Sequence, residues 1–308
     1  MLSFLPKQLG PSPKKNIYID ESYPAFEHEV HNSLDAIVLV TTFKEAMSQR
    51  FTKFLEHLVS VTTSPSKDID FVISSNARMP IEHSILQKLK YLFKEVKLHA
   101  QHIPKRDDIY ESDAVPFASS PYIPEMGRTS GPNILFLNTM NYCRQYNTVL
   151  VLETDCILYH SWIEKCKNYT NNCEYFLVSG TTYDGIPTSV SEKNLVSFLH
   201  INGVAFYKTG SSVFQYVMLQ LEEFIKDSVS HRVRQGRVPY DLAITEMILS
   251  RIANTPTVGA YNFWRCVYRY ILKNTLIVNA SCHRDTELEA SDLLAIHKNC
   301  VILHKKLL

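Results

Sequence analysis

Residues 147–158 read NTVLVLETDCIL, an apolar run that stops at two carboxylates, Glu153 and Asp155, and then turns apolar again. Alternate positions of a strand share a face, so two acids two residues apart would lie side by side where the strand ends. Like charges that close repel unless a cation or a proton sits between them. In open α/β sheets a ligand sits beyond the carboxyl ends of the strands. Carboxylates in that place suit a hard divalent cation such as Mg²⁺ or Mn²⁺. Such an ion can bridge the phosphates of a nucleotide diphosphate and neutralise charge that develops there. The plainer alternative is a strand end with two solvated acids. Paired acids directly after four apolar residues favour the ligand role.

The elements that must hold this step in place follow from the apolar pattern. LDAIVLVTTF (34–43) is a buried strand. Residues 44–61 follow as an amphipathic helix, with Met47, Phe51, Phe54, Leu55 and Leu58 on one face. A strand over 68–76, a helix over 81–93 and a strand over 95–103 continue the alternation of a parallel sheet wrapped by helices. Residues 104–132 break it with Pro, Gly and Ser, as a lid or binding segment would. A helix over 131–146, with Pro132 in its first turn, delivers the chain to the strand of Glu153. Beyond Asp155 the pattern predicts a helix (161–170), strands (174–180 and 200–210) and a long helix (211–229). A basic loop (231–237), a helix (239–252) and strands over 275–281 and 300–306 complete it. The expectation is α/β: one domain, 31–308, with a mostly parallel central sheet flanked by helices, after an irregular arm over 1–30.

Composition narrows the function classes. The net charge of +1 argues for neither nucleic acid nor an anionic membrane as partner. Glycine is scarce, at nine in 308 residues, and neither GxGxxG nor GxxxxGK[ST] occurs, which removes the main support for dinucleotide-binding and P-loop readings. Seven scattered cysteines without a CxxC pair read as reduced thiols, not a disulfide framework or zinc site. No apolar run is long enough to cross a bilayer and the N-terminus lacks a signal-peptide pattern, so the expected location is cytoplasmic.

Strand–helix repeats leading to an apolar strand that ends in an Asp/Glu-x-Asp step resemble glycosyltransferases of the GT-A fold, over residues 33–304. GPNILFLNTM, VLVLETDCILY, HINGVAFYKTG and VILHKK look most like the small soluble transferases that large DNA viruses of algae encode. The resemblance implies a nucleotide-diphosphate sugar donor, most often UDP-linked, here a pentose such as xylose or a deoxyhexose. It implies Mn²⁺ or Mg²⁺, a glycan or glycoprotein acceptor, and a host cytoplasm. It assigns Asp155 as direct metal ligand, Glu153 to the ribose or to the metal and its water, and His304 as a further ligand. His283 and His297 are the rivals of His304. Donor binding falls to Thr41, Thr42 and Phe43 at the end of the first strand, and to Asn133 and Thr154 with the two acids. Arg128, or one of Arg232, Arg234 and Arg237 in the basic loop, matches the bidentate geometry of a diphosphate, the plainer reading being solvated charge. The acceptor side falls to His200, Asn202 and Gly203. Ser74-Ser75-Asn76 stand where the family would place an acid that reads the base.

Asp241 opens a helix after Pro239-Tyr240. A carboxylate there is stabilised by the helix N-terminus; it can equally serve as the general base that deprotonates an acceptor hydroxyl. Asp184, in TTYDG, is the alternative base or a plain turn residue. A base on the acceptor implies inversion at the transferred carbon. Two other readings compete. A nucleotidyltransferase would show a Gly-rich basic loop after the first strand, and VTTFKEAMSQR has no Gly. A catalytically silent carbohydrate-binding or scaffold protein could keep the same fold. Trp162 and Trp264 read as packing residues, the alternative being platforms that stack on a sugar ring.

Overall fold

Four apolar runs form the parallel half of a seven-stranded sheet, in the computed structural model, which describes residues 22–26, 32–110, 123–182, 201–279, 295 and 297–304, without the side chains of 201, 202, 234 and 235. They are β1 (Leu34–Thr41), β2 (Asp70–Ser75), β3 (Val96–Ala100) and β4 (Thr148–Leu152). Every residue of β2 and β4 is buried, as in strands covered on both faces. Successive side chains go to opposite faces. Ala36, Val38, Val149 and Val151 enter one apolar cluster, while Ile37, Leu39, Leu150 and Leu152 enter another.

Helices cover both faces. On the second cluster lie α2 (Gln49–Val61) and α3 (His83–Leu92), through Phe51, Phe54, Leu58 and Leu89. The first cluster is closed by α4 (Ser130–Tyr142), through Phe136 and Met140. It also receives α6 (Ser212–Ser230), α7 (Tyr240–Asn254) and α8 (Val258–Arg269). A further helix, α5 (Trp162–Asn172), follows β5 (Cys156–Leu158). Trp162 and Trp264 are both buried in packing, as expected.

The other half of the sheet reverses direction. β7 (Ile201–Tyr207) runs antiparallel to both β4 and β6 (Val178–Thr182), and β8 (Ile271–Lys273) runs parallel to β6. The strand order is β3-β2-β1-β4-β7-β6-β8. A small second sheet, β5-β10-β9, joins β5 (Cys156–Leu158), β10 (Ile302–His304) and β9 (Ile277–Asn279). Among the described residues no helix is long and apolar enough to cross a membrane.

Three expectations need correction. The helix expected over 44–61 is two helices. Thr42 and Glu45 form a reciprocal capping box that starts α1 (Phe43–Ala46), which ends at Met47. Met47 is therefore exposed, not part of the buried face of α2. The pattern also gave no helix at 258–269, although Gly259, Ala260, Phe263, Trp264 and Val267 bury one face of α8 after a Thr257 cap. Finally, part of the expected arm belongs to the core. Tyr23 stacks on Phe263 with centroids 4.5 Å apart, and Phe26 is buried beside it.

Candidate active site

Register brings the ends of the chain together. In the small sheet β10 pairs antiparallel with β5, and His304 falls opposite Cys156. Cys156 follows Asp155, so the imidazole of His304 lands on the carboxylates. Its Nε2 lies 3.0 Å from Asp155 Oδ1 and 3.3 Å from Glu153 Oε2. The two acids converge differently from the expected strand pattern. β4 stops at Leu152, and Thr154-Asp155 form a turn closed by the Cys156 amide donating to the Glu153 carbonyl at 3.2 Å. The turn, not strand alternation, aims both acids at His304.

A fourth group completes the cluster, and the sequence reading missed it. Arg50, in the first turn of α2, places a guanidinium nitrogen 2.9 Å from Asp155 Oδ2. Asp155 and His304 are buried, and Glu153 is half-buried. Burial alone would raise the Asp155 carboxyl, but its bond to His304 and the nearby Arg50 charge reverse this and hold it below the usual range. For His304 burial acts downward. The contacts with Asp155 and Glu153 outweigh it and raise the imidazole to about 10.

Could these residues hold the expected cation? One ligand atom from each of Glu153, Asp155 and His304 lies within 4.8 Å of the others, the one such group of three or more among the described residues. Asp155 Oδ1 is buried, and its contact is the ion pair to His304 Nε2 at 3.0 Å, itself a prospective ligand. Two carboxylates and one imidazole suit Mn²⁺ or Mg²⁺. The residues fit. His297 lies outside the group, and His283 lies outside the described residues.

The wall beside the cluster is β7 and the start of α7. A Cβ on Gly203 would lie 2.2 Å from the Tyr240 hydroxyl and 3.0 Å from Glu153 Oε1. Gly203 therefore allows Tyr240 to approach Glu153, a role the acceptor assignment did not foresee. Tyr240 stacks on Phe136 at 3.8 Å. Burial first, then the charges of Glu153 and Asp241, push the Tyr240 hydroxyl well above its ordinary range. Asp241 sits in the first turn of α7, near enough for its charge to act on both Tyr207 and Tyr240. Its Oδ1 accepts from the Leu242 amide at 2.9 Å.

The expected donor residues divide. Thr41 is buried at the end of β1, and Thr42 caps α1. Phe43 is exposed, and its amide donates to Asn76 Oδ1 at 2.6 Å. Asn76 in turn donates to Asp108 Oδ2 at 2.5 Å. Asp108 thus stands beside the residues expected at the base. It comes from the segment after β3 that the sequence marks as a lid or binding segment. Arg128 is buried just before α4, its amide donating to the Gly236 carbonyl at 2.7 Å. Asn133 is fully buried and spends its amide on the protein itself. It donates to the Met126 and Val238 carbonyls at 3.1 and 2.9 Å and accepts from the Tyr240 amide at 2.9 Å. It anchors the start of α7 to α4. Thr154 is buried in the turn. Asp184 and His200 lie outside the described residues, as does the side chain of Asn202.

No protein-family model matches the sequence, and no curated protein matches it. Solved structures do resemble its fold. The bifunctional glycosyltransferase WbbM is 10% identical, with a TM-score of 0.50 over 92% of this chain and 47% of that one. The galactosyltransferase LgtC, solved with donor and acceptor sugar analogues, is 12% identical, with a TM-score of 0.43 over 88% and 87% of the two chains. Mouse xyloside xylosyltransferase 1 is 10% identical, with a TM-score of 0.46 over 88% and 97%. The chain spans about half the length of WbbM. The fold is GT-A: α/β, with a mostly parallel central sheet flanked by helices.

Proposed function

We propose that this chain is a metal-dependent glycosyltransferase that moves a sugar from a nucleotide-diphosphate donor to a glycan or glycoprotein hydroxyl. The observation that carries the reading is the convergence of Glu153, Asp155 and His304 beyond the carboxyl end of β4, in a GT-A fold. UDP is the proposed nucleotide, and a pentose such as xylose or a deoxyhexose is the proposed sugar, with a cytoplasmic location. Mn²⁺ held by Asp155, His304 and Glu153 would neutralise the diphosphate as it leaves. Phe43 is exposed at the start of α1, just beyond β1, where the base would stack, and Arg128 is the proposed diphosphate partner. Asp241 would take the proton from the acceptor hydroxyl as it attacks, giving inversion. Asp184 is the alternative base, with His200, Asn202 and Gly203 on the acceptor side.

The test is thermal stabilisation by a panel of nucleotides and sugar nucleotides, with and without Mn²⁺, for wild type and Asp155→Ala. A ligand of the folded state raises Tm. The expected result is a rise with a UDP compound that needs Mn²⁺ and vanishes in the variant. No rise with any nucleotide would sink the proposal. One observation favours a second reading, a silent carbohydrate-binding protein. Arg50 and protonated His304 already balance the charges of Glu153 and Asp155. Nucleotide binding that ignores Mn²⁺, with no turnover, would support it.

A further inference from the structure

The geometry points to Arg50 as a positioning residue that makes Asp155 a one-oxygen ligand and so selects the cation. The inference rests on the metal site proposed above and goes beyond it to a residue of a different element.

Asp155 has two carboxylate oxygens in different surroundings. Oδ2 is taken by the Arg50 guanidinium at 2.9 Å. Oδ1 is buried and faces His304 Nε2 at 3.0 Å. Only Oδ1 is therefore turned to the ligand group. A charge-assisted hydrogen bond from guanidinium to carboxylate is short and directional, and it fixes the rotation of the carboxyl plane.

The fold holds Arg50 in this position through a second contact. Arg50 and His57 are seven residues apart on α2, two turns, so they lie on one face of the helix. His57 pins that face to β5: the Leu158 amide donates to its Nε2 at 3.0 Å. Leu158 and Asp155 bracket the same short segment, so the helix face that reaches Leu158 through His57 reaches Asp155 through Arg50. The break at Met47 starts α2 where this is possible, because a new helix begins after Ser48.

Cation choice follows from ligand geometry. Ca²⁺ accepts carboxylates through both oxygens at about 2.3–2.6 Å, whereas Mg²⁺ demands octahedral geometry at about 2.0–2.1 Å. Mn²⁺ shares the preference for six ligands. With Oδ2 engaged by Arg50, Asp155 cannot bind through both oxygens, and the site disfavours Ca²⁺. Releasing Oδ2 would restore that mode and help Ca²⁺ more than Mn²⁺.

The experiment measures Mn²⁺ binding to the full chain from the electron paramagnetic resonance signal of free Mn²⁺, then displaces it with Ca²⁺. Wild type, Arg50→Met and Arg50→Lys are compared, with Tm recorded for each. The Arg50 side chain is 35% exposed, which favours variants that fold. In Arg50→Met the preference for Mn²⁺ over Ca²⁺ is expected to fall by about tenfold or more, the scale of outer-partner effects at metal sites. Arg50→Lys retains a donor and is expected to keep more of the preference. Affinities that rise together with an unchanged ratio would reduce Arg50 to an opposing charge and overturn the assignment. So would affinities that fall together with Tm, the mark of a merely structural role. Wild type that binds no Mn²⁺ would instead sink the metal reading itself, a separate failure.

Discussion

His304 stands opposite Cys156 in the ladder of two antiparallel strands, and this register alone sets its imidazole 3.0 Å from Asp155. A shift of one residue would turn the ring to the other face of the small sheet. Removing the ring should therefore remove the cation without unmaking the strand. His304→Gln is expected to weaken Mn²⁺ binding by more than roughly tenfold. Calorimetric titration with Mn²⁺ checks it, with circular dichroism to confirm the fold. Undiminished binding would exclude His304 as a ligand.

The protonation of His304 gives two pH signatures. Its imidazole is raised from 6.5 to about 10 in the folded protein. A raised group stabilises the fold fully below its unfolded value and loses that contribution as pH rises through its folded value. Without metal, Tm should therefore fall between pH 6.5 and about 10, and His304→Gln should lack this decline. A bound metal needs neutral imidazole, so Mn²⁺ uptake near pH 7 should release a proton. Calorimetry in two buffers of different ionisation enthalpy reads that proton directly. Mn²⁺ uptake with no proton released would show that His304 is not displaced from its imidazolium form.

These groups mark where the sequence is informative. The unbroken apolar runs that became β1, β2 and β4 mark strands buried on both faces, and that is legible in the letters; which side chain enters which of the two clusters is not. Glu153 and Asp155 were visible because charge interrupts such a run. His304 was visible only through resemblance, since its register with Cys156 is a long-range pairing. Nothing in the sequence marks Arg50, because an ion pair between the first turn of a helix and a distant turn has no local signature. Nor does spacing show that Asn133 bonds inward to Val238 and Tyr240. Asp108 reaches Asn76 from a segment with no periodicity to place it.

Asp241 offers a sharper test of mechanism. Its carboxylate is half-exposed, and the oxygen that accepts from Leu242 would survive as the amide oxygen of asparagine. Asp241→Asn should fold and bind donor as wild type does. If Asp241 is the base, kcat should drop by roughly 100-fold or more. Steady-state kinetics decides, and proton NMR of the product shows whether the anomeric configuration inverts. An unchanged rate would pass the role to Asp184 or remove the base from the mechanism.

Gly203 and Tyr240 should behave as a coupled pair. A Cβ at 203 would stand 2.2 Å from the Tyr240 hydroxyl, and the Tyr240 ring is held by its stack on Phe136. Tyr240 therefore has little room to yield, and Gly203→Ala should destabilise the protein by about 1–3 kcal/mol, as overpacking does. Tyr240→Phe removes the clashing atom. In the double variant much of that loss should return, a coupling that denaturant unfolding of the four proteins would measure. Strict additivity would mean that Gly203 is constrained by the backbone, whose carbonyl accepts the Tyr207 hydroxyl at 3.0 Å, and not by Tyr240. Kinetics on the same four proteins would separate packing from chemistry. If the wall shapes the acceptor subsite, Gly203→Ala should raise the acceptor KM and leave donor binding in place, and Tyr240→Phe should restore it.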